Sequence, residues 1–450
     1  MLVYMSIGRG RLRRMGRVAF LILSFSHSLI FSTSCVDYDK TGDGDGIAAE
    51  RFFSDEGAFR NAMNDAYIQL RSPRLYGGTL TLTMLEPAAG TMEPWDEVTR
   101  AAAQQDFTDR ALAAEIDSTK LAAYGVVAAC NQVIAAAGSD KLKSSAVRMA
   151  VGEAYGLRAA IKLDLVRLLS PYPVTDDATL NEVGDDLDRA ASLLKDTDPL
   201  LQPTNPTAVV GQMDRRLRTL QLNWYAVKAL QARLALWQGH YERALAEADS
   251  VMLHQENVAQ RNQVFYFVQP GKYGSDFCFS REFVFGIATR PDGFPALSDR
   301  LFIEKDVHVS PRLRNIYQDV ADIRYRAWFR PAADGQGYTM ARKFGSETLL
   351  SGYVVSATGG EMQLPASIPF IKMGEVALIA AEALNETGRS EEALQRIETL
   401  EQQKDAASYA AALRGEGRVT REAVRQLIAD EYERELFGEG QLFYYKKLRK

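Results

Sequence analysis

The sequence predicts a mainly α protein, a scaffold of helical hairpins that carries long loops and a few short strands. Three observations support this. Apolar residues recur at three- and four-residue steps through much of the stretch from Ser54 to His254 and again after Ile371. Two of the helical stretches share one turn signature, Gly at the bend and Ala five residues on. Between them, from about Gln263 to Pro369, aromatic and β-branched residues broken by glycines replace the helical period.

The chain begins with five arginines (Arg9, Arg11, Arg13, Arg14, Arg17), the apolar run Val18–Phe31 and the small residues Ser32, Thr33 and Ser34. This order is a secretory signal covering residues 1–34, too short in its apolar part for the roughly 20 residues that span a bilayer. Cleavage before Cys35 would leave an N-terminal cysteine, as in the lipobox of bacterial lipoproteins, although Ser32 stands where that motif usually has Leu. Cys35 is therefore the expected lipidation site. Residues 35–50 are rich in Gly and Asp and read as a flexible tether. Asp37, Asp39, Thr41 and Gly42 have the spacing of a calcium loop, but Ala48 occupies the position that needs a bidentate Glu.

The body of the chain, 51–450, divides by pattern into an N-terminal part to about 260 and a C-terminal part from about 261. Ser54 is the expected N-cap of a first helix with Phe59, Ala62, Met63, Ala66, Tyr67 and Leu70 on one face. Arg71–Trp95 reads as loop with short strands. Helices follow over Phe107–Ala137, Ser144–Leu169 (ending in a Pro171–Pro173 turn), Val183–Leu194 and Arg215–His254. After the middle stretch, helices are expected over Ile371–Leu384, Ser390–Gln403 and Arg421 to about Leu448. Gly239 with Ala244, and Gly388 with Ala393, mark hairpins that resemble tetratricopeptide helix pairs, too far apart in sequence to be tandem neighbours.

Composition excludes several functions. The formal charge is −5 and becomes −10 once the signal is removed, which opposes nucleic-acid binding. Three histidines outlast the signal (His240, His254, His308), none at helical metal-ligand spacing, and no cysteine pair has zinc-site spacing. No metal site, cofactor or nucleophilic triad is expected, so the chain reads as no enzyme. Cys130 and Cys278 are expected to be buried small apolar residues. Glu431, Glu433, Glu435 and Glu439 would suit a glycosidase, with Glu435 and Glu439 sharing a face if one helix ran through Gly438. Arg434, Lys446, Lys447 and Arg449 lie close by and favour ion pairing instead. Tyr76, Trp95, Tyr266, Tyr273, Trp328 and Tyr338 fall in loop or strand segments and are the candidate ligand contacts, since aromatic faces stack on sugars or peptide side chains.

Several segments together resemble the SusD/RagB family of outer-membrane nutrient-binding lipoproteins. They are SDEGAFRNAMNDAYIQL, GEAYGLRAAIKLDLVRLLSPYPV, SREFVFGI, SPRLRNIYQDVADIRYRAWF, IPFIKMGEVALIAAEALNETG and EYERELFGEGQLFYYKKL. The sequence stops at Lys450, where family members usually continue into a Pro-containing tail. The resemblance implies a SusD-like fold in which a tetratricopeptide-like scaffold carries ligand-binding loops. It also implies that Glu153, Arg158, Glu375, Glu382, Arg434, Glu435 and Glu439 are scaffold residues. The expected function is non-catalytic: a cell-surface lipoprotein, held in the outer membrane by its lipid, that binds an oligosaccharide or a peptide. Its expected partner is a TonB-dependent barrel transporter (SusC-like) that takes up the nutrient. The alternative is a protein–protein interaction or adhesion scaffold.

Overall fold

Several helices in this protein start where a short polar side chain can accept the orphan N–H groups of the first turn, a contact worth about 1 kcal/mol. The computed structural model describes residues 52–170, 177–201, 217–257, 264–289, 292–350, 353–355, 361–363 and 367–449. The signal segment, Cys35, the tether and the Pro171–Pro173 turn lie outside them. Asp55, one residue beyond the expected cap, accepts from Ala58 N at 2.9 Å and opens α1 (Glu56–Leu70). Asp96 and Thr99 form a capping box for α2 (Glu97–Gln104), a helix the sequence reading missed. Asp109 caps α3 (Arg110–Ala136) and Ser144 caps α4 (Ser145–Leu169). Then come α5 (Asp177–Lys195), α6 (Trp224–Trp237, capped by Asn223) and α7 (Tyr241–Asn257). The C-terminal helices are α8 (Met373–Glu386), α9 (Ser390–Gln403), α10 (Arg421–Glu435, capped by Thr420) and α11 (Gln441–Leu448).

These helices pack as a row. α1 lies on α3 and α4, α4 on α5, α5 on α6, α6 on α7, α7 on α8, and α8 on α9 and α10. The hairpins α6–α7 and α8–α9 turn at Gly239 and Gly388, each with a positive φ, 73° and 83°. They are consecutive in space through α7 and α8, which corrects the expectation that their separation in sequence keeps them apart. The reason is a stem. Strand β1 (Phe283–Ala288) pairs antiparallel with β6 (Ser367–Lys372), and β6 leads straight into α8. The residues between leave the row and return to it. They hold two further hairpins, β2 (Arg330–Pro331) with β3 (Tyr338–Thr339) and β4 (Tyr353–Val355) with β5 (Glu361–Gln363), and short helices at Phe294–Asp299, Leu313–Ile316 and Ile323–Trp328. Within Arg71–Trp95, expected as loop with short strands, Thr79–Leu85 is instead a wide helical turn whose buried Leu80, Leu82, Met84 and Leu85 run on into Glu86–Ala89. Asp55–Lys450 make one unit. Among the described residues no helix is long and apolar enough to cross a membrane.

The row and the excursion meet over a buried charge network. Arg324 has no exposed surface and donates to Asp322 at 2.7 Å and to Glu431 and Glu435 at 3.0 Å each. Lys372 Nζ lies 3.0 Å from Glu435 and 2.7 Å from Glu439, Lys343 lies 2.7 Å from Glu439, and Lys404 lies 2.6 Å from Glu282. Burial resists the charge on Glu435, but Lys372, Lys404 and Arg324 together hold its carboxyl well below the usual range. A carboxyl so held is no general acid at neutral pH. Burial pushes Lys343 down to about 8. Glu401, which accepts from Ala410 N–H, is pushed up to about 8 by burial and by the nearby Glu431.

The partners of the C-terminal acids thus differ in part from the local basic residues that the sequence offers. Glu433 does take Lys446, at 2.8 Å, and Glu431 takes Arg434, at 2.7 Å. Arg449 instead pairs with Glu382, and Lys447 donates to the carbonyls of Arg167 and Leu168. Nor does one helix pass through Gly438. α10 stops at Glu435, Gly438 and Gly440 have φ of 81° and 78°, and the N–H groups of both donate to the buried carboxylate of Glu86, at 3.0 and 2.6 Å. The remaining expected scaffold residues are paired too: Glu153 with Arg218, Arg158 with Asp186 and Glu375 with Arg233. Cys130 and Cys278 are buried free thiols, as read from the sequence.

Candidate ligand-binding site

A cavity of about 420 Å³ opens at the foot of the β1–β6 stem. One wall comes from the turn after α1, contributing Arg71, Pro73, Tyr76, Gly77, Gly78 and Thr79; the other from Ile287 and Thr289 at the end of β1 and from Asp292–Arg300. The sequence builds the first wall by folding the chain sharply at two glycines. A Cβ on Gly78 would fall 1.9 Å from Pro73 O, and one on Gly77 (φ 74°) would fall 2.6 Å from Ile368 and 2.8 Å from Phe294. The backbone therefore approaches both its own turn and the stem as only glycine allows.

Each lining group has a defined state. Tyr76 is half-buried; its hydroxyl donates to Asp164 at 2.7 Å and its ring meets Phe370 edge-on at 4.7 Å, so the hydroxyl is fixed while the ring faces the cavity wall. Phe294 is braced by Phe344, 5.1 Å away. Thr289 Oγ1 is shielded from solvent and has no hydrogen-bond partner among the described residues. Arg71 and Arg300 carry no ion pair among the described residues.

Of the six aromatic candidates, Tyr76 alone lines this cavity. Trp95 and Tyr338, both half-buried, stand on adjoining segments of a loop ladder. Glu93 N donates to His308 O at 3.0 Å, Ser310 N to Thr91 O at 2.7 Å and Val309 N to Tyr338 O at 2.9 Å. Tyr338 also meets Tyr325, 5.9 Å away. Tyr266 is half-buried with its hydroxyl accepting from Arg281 at 2.7 Å, and Tyr273 packs on Phe277 and Phe279. Trp328 is a correction. It ends the helix Ile323–Trp328 and has no exposed surface, with Lys343 Nζ 3.5 Å above its ring and Lys372 at 5.2 Å. Its face is occupied by the charged core, so no ligand can stack there. Arg71, Thr289, Phe294 and Arg300 were missed by the sequence reading; the Gly77–Gly78 pair was the one local signal of a close backbone approach.

Residues 315–444 match the SusD family model. That stretch is similar to the SusD family, and the fold of the chain is SusD-like. Solved structures agree on the fold. A SusD superfamily protein from Bacteroides thetaiotaomicron VPI-5482 is 14% identical, with 87% of this chain and 90% of that chain covered and a TM-score of 0.66. A SusD homolog from the same organism is 15% identical over 90% and 89%, at 0.65. A SusD-like carbohydrate binding protein from Bacteroides vulgatus ATCC 8482 is 16% identical over 86% and 81%, at 0.60. No curated protein matches. The matched SusD-family segment contains Arg324, Trp328, Lys343, Lys372, Lys404 and the C-terminal glutamates, and so covers most of the buried charge network. The cavity walls, 71–79 and 287–300, lie outside it.

Proposed function

We propose that this SusD-like chain binds an oligosaccharide in the cavity beside Tyr76 and leaves it chemically unchanged. The observation that carries this reading is the composition of the cavity: aromatic side chains, Tyr76 and Phe294, on its two walls, with polar and charged side chains around them. Aromatic faces take the C–H face of a sugar, and the polar groups around them fix its hydroxyls. The volume suits a ligand of one to a few rings, within the roughly 300–1,000 Å³ typical of binding clefts. A relative of the same fold being a carbohydrate binding protein adds to this. Trp95, Tyr266, Tyr273 and Tyr338 stay candidates for contacts with a longer chain. We further propose that lipid on Cys35 anchors the body to the outer membrane, facing outward, and that the tether holds it near a TonB-dependent barrel transporter to which it delivers the sugar.

Titration calorimetry against neutral and acidic oligosaccharides tests the site. Binding that weakens at least tenfold in Phe294→Ala, with an unchanged circular dichroism spectrum, supports it; no binding to any oligosaccharide, or equal binding by the variant, refutes it. For the anchor, Cys35→Ser should move the protein out of the membrane fraction.

A further inference from the structure

The walls of the cavity carry more positive than negative charge, on a protein whose overall charge is negative. Arg71 and Arg300 both line it, and against them the described lining sets a single carboxylate, Asp292. The chain as a whole is at −5. The buried arginines of this protein are spent on partners, Arg218 on Glu153 and Asp198, Arg233 on Glu375 and Arg324 on three acids, as is the half-buried Arg158 on Asp186; Arg71 and Arg300 are exposed at the cavity. Arg71 and Arg300 have no such partner among the described residues. The electrostatics of Arg71 agree. Among the described arginines whose pKa moves, it alone moves down, because neighbouring protein covers part of the guanidinium with no anion to compensate. A cation partly desolvated without a counter-charge is stabilised by any anion that arrives, and a guanidinium offers a carboxylate or sulfate two parallel N–H donors.

Resting on the carbohydrate reading above, we infer that the preferred ligand is an acidic oligosaccharide whose carboxylate or sulfate oxygens are held by Arg71 and Arg300 while a sugar ring lies against Tyr76 and Phe294. Carboxylate and sulfate present the same anionic oxygens, and the test separates them.

Titration calorimetry would compare oligogalacturonate of three residues, its fully methyl-esterified and therefore uncharged form, a chondroitin sulfate tetrasaccharide and neutral malto-oligosaccharides. At least one anionic probe should bind tenfold or more tightly than the neutral probes, and more weakly as salt rises. Arg71→Gln and Arg300→Gln should each reduce that affinity five- to twentyfold and reduce neutral-probe affinity by a smaller factor. Preference for the galacturonate over its ester assigns a uronate, and preference for the chondroitin probe assigns a sulfated sugar. Neutral sugars bound as tightly as the anionic ones, with both variants unchanged, would overturn this inference and leave the carbohydrate reading standing. No binding to any of the sugars would overturn both, as would binding confined to acidic peptides.

Discussion

Replacing Glu401 by Gln should stabilise the protein near pH 8 and leave it unaffected near pH 4. Glu401 has no exposed surface, and its carboxyl is raised from 4.5 to about 8 by burial and by the charge of Glu431. Between those two pH values the folded protein holds a proton that the unfolded chain has released. Stability therefore falls as pH rises through this window, and below about 4.5 both states are protonated and the group contributes nothing. At about 1.4 kcal/mol per unit, the full displacement corresponds to an upper bound of about 5 kcal/mol. Local relaxation and residual structure in the denatured chain bring the expected gain to about 1–3 kcal/mol. The amide is the neutral isostere of the protonated acid and can still accept from Ala410 N–H, which lies 3.3 and 3.2 Å from the two carboxyl oxygens. Guanidinium unfolding of both proteins at pH 4, 6 and 8 measures the gap. It should open with rising pH and level off above about 8. A gap that does not change with pH, or a wild type that gains on the variant as pH rises, would refute the reasoning.

Arg324→Met should cost about 3–5 kcal/mol, because it strands Asp322, Glu431 and Glu435 as buried charges lacking their common partner; a loss under 1 kcal/mol by denaturant unfolding would count against the network. In protein beginning at Val36, the thiols of Cys130 and Cys278 should react with Ellman's reagent only after denaturation. Both are buried, and burial pushes Cys130 up to about 12. Prompt reaction of either in the native state would contradict their placement.

Several helix ends were legible because the decisive group sits within a few residues, although α2 was missed despite its local Asp96–Thr99 capping box. Ser144 caps Val147 N and Thr420 caps Ala423 N, and the α9 boundaries agree with the sequence reading at both ends. The break between α10 and α11 was not legible, since the acceptor that fixes Gly438 and Gly440 is Glu86, more than 350 residues away. The same holds for Glu435, whose cations come from Arg324 and Lys372 rather than from the basic residues beside it. Trp328 looked like a loop aromatic because its local sequence cannot reveal that Lys343 and Lys372 close over it. Tyr76 was legible as a candidate, but Phe294 and Arg300 on the facing wall come from a distant stretch of the chain, so only the fold brings them to Tyr76 and Arg71.

The pairing of β1 with β6 has a consequence for how such a protein can diversify. The excursion leaves and rejoins the helical row at hydrogen-bonded neighbours, Ala288 opposite Ser367. Its length and composition can change without altering the distance the row must bridge, so α7 keeps its seat on α8. The stem works as a fixed socket: the stretch it closes can be rebuilt between matched ends, provided that Asp322, Arg324 and Lys343, its own contribution to the charged core, are kept.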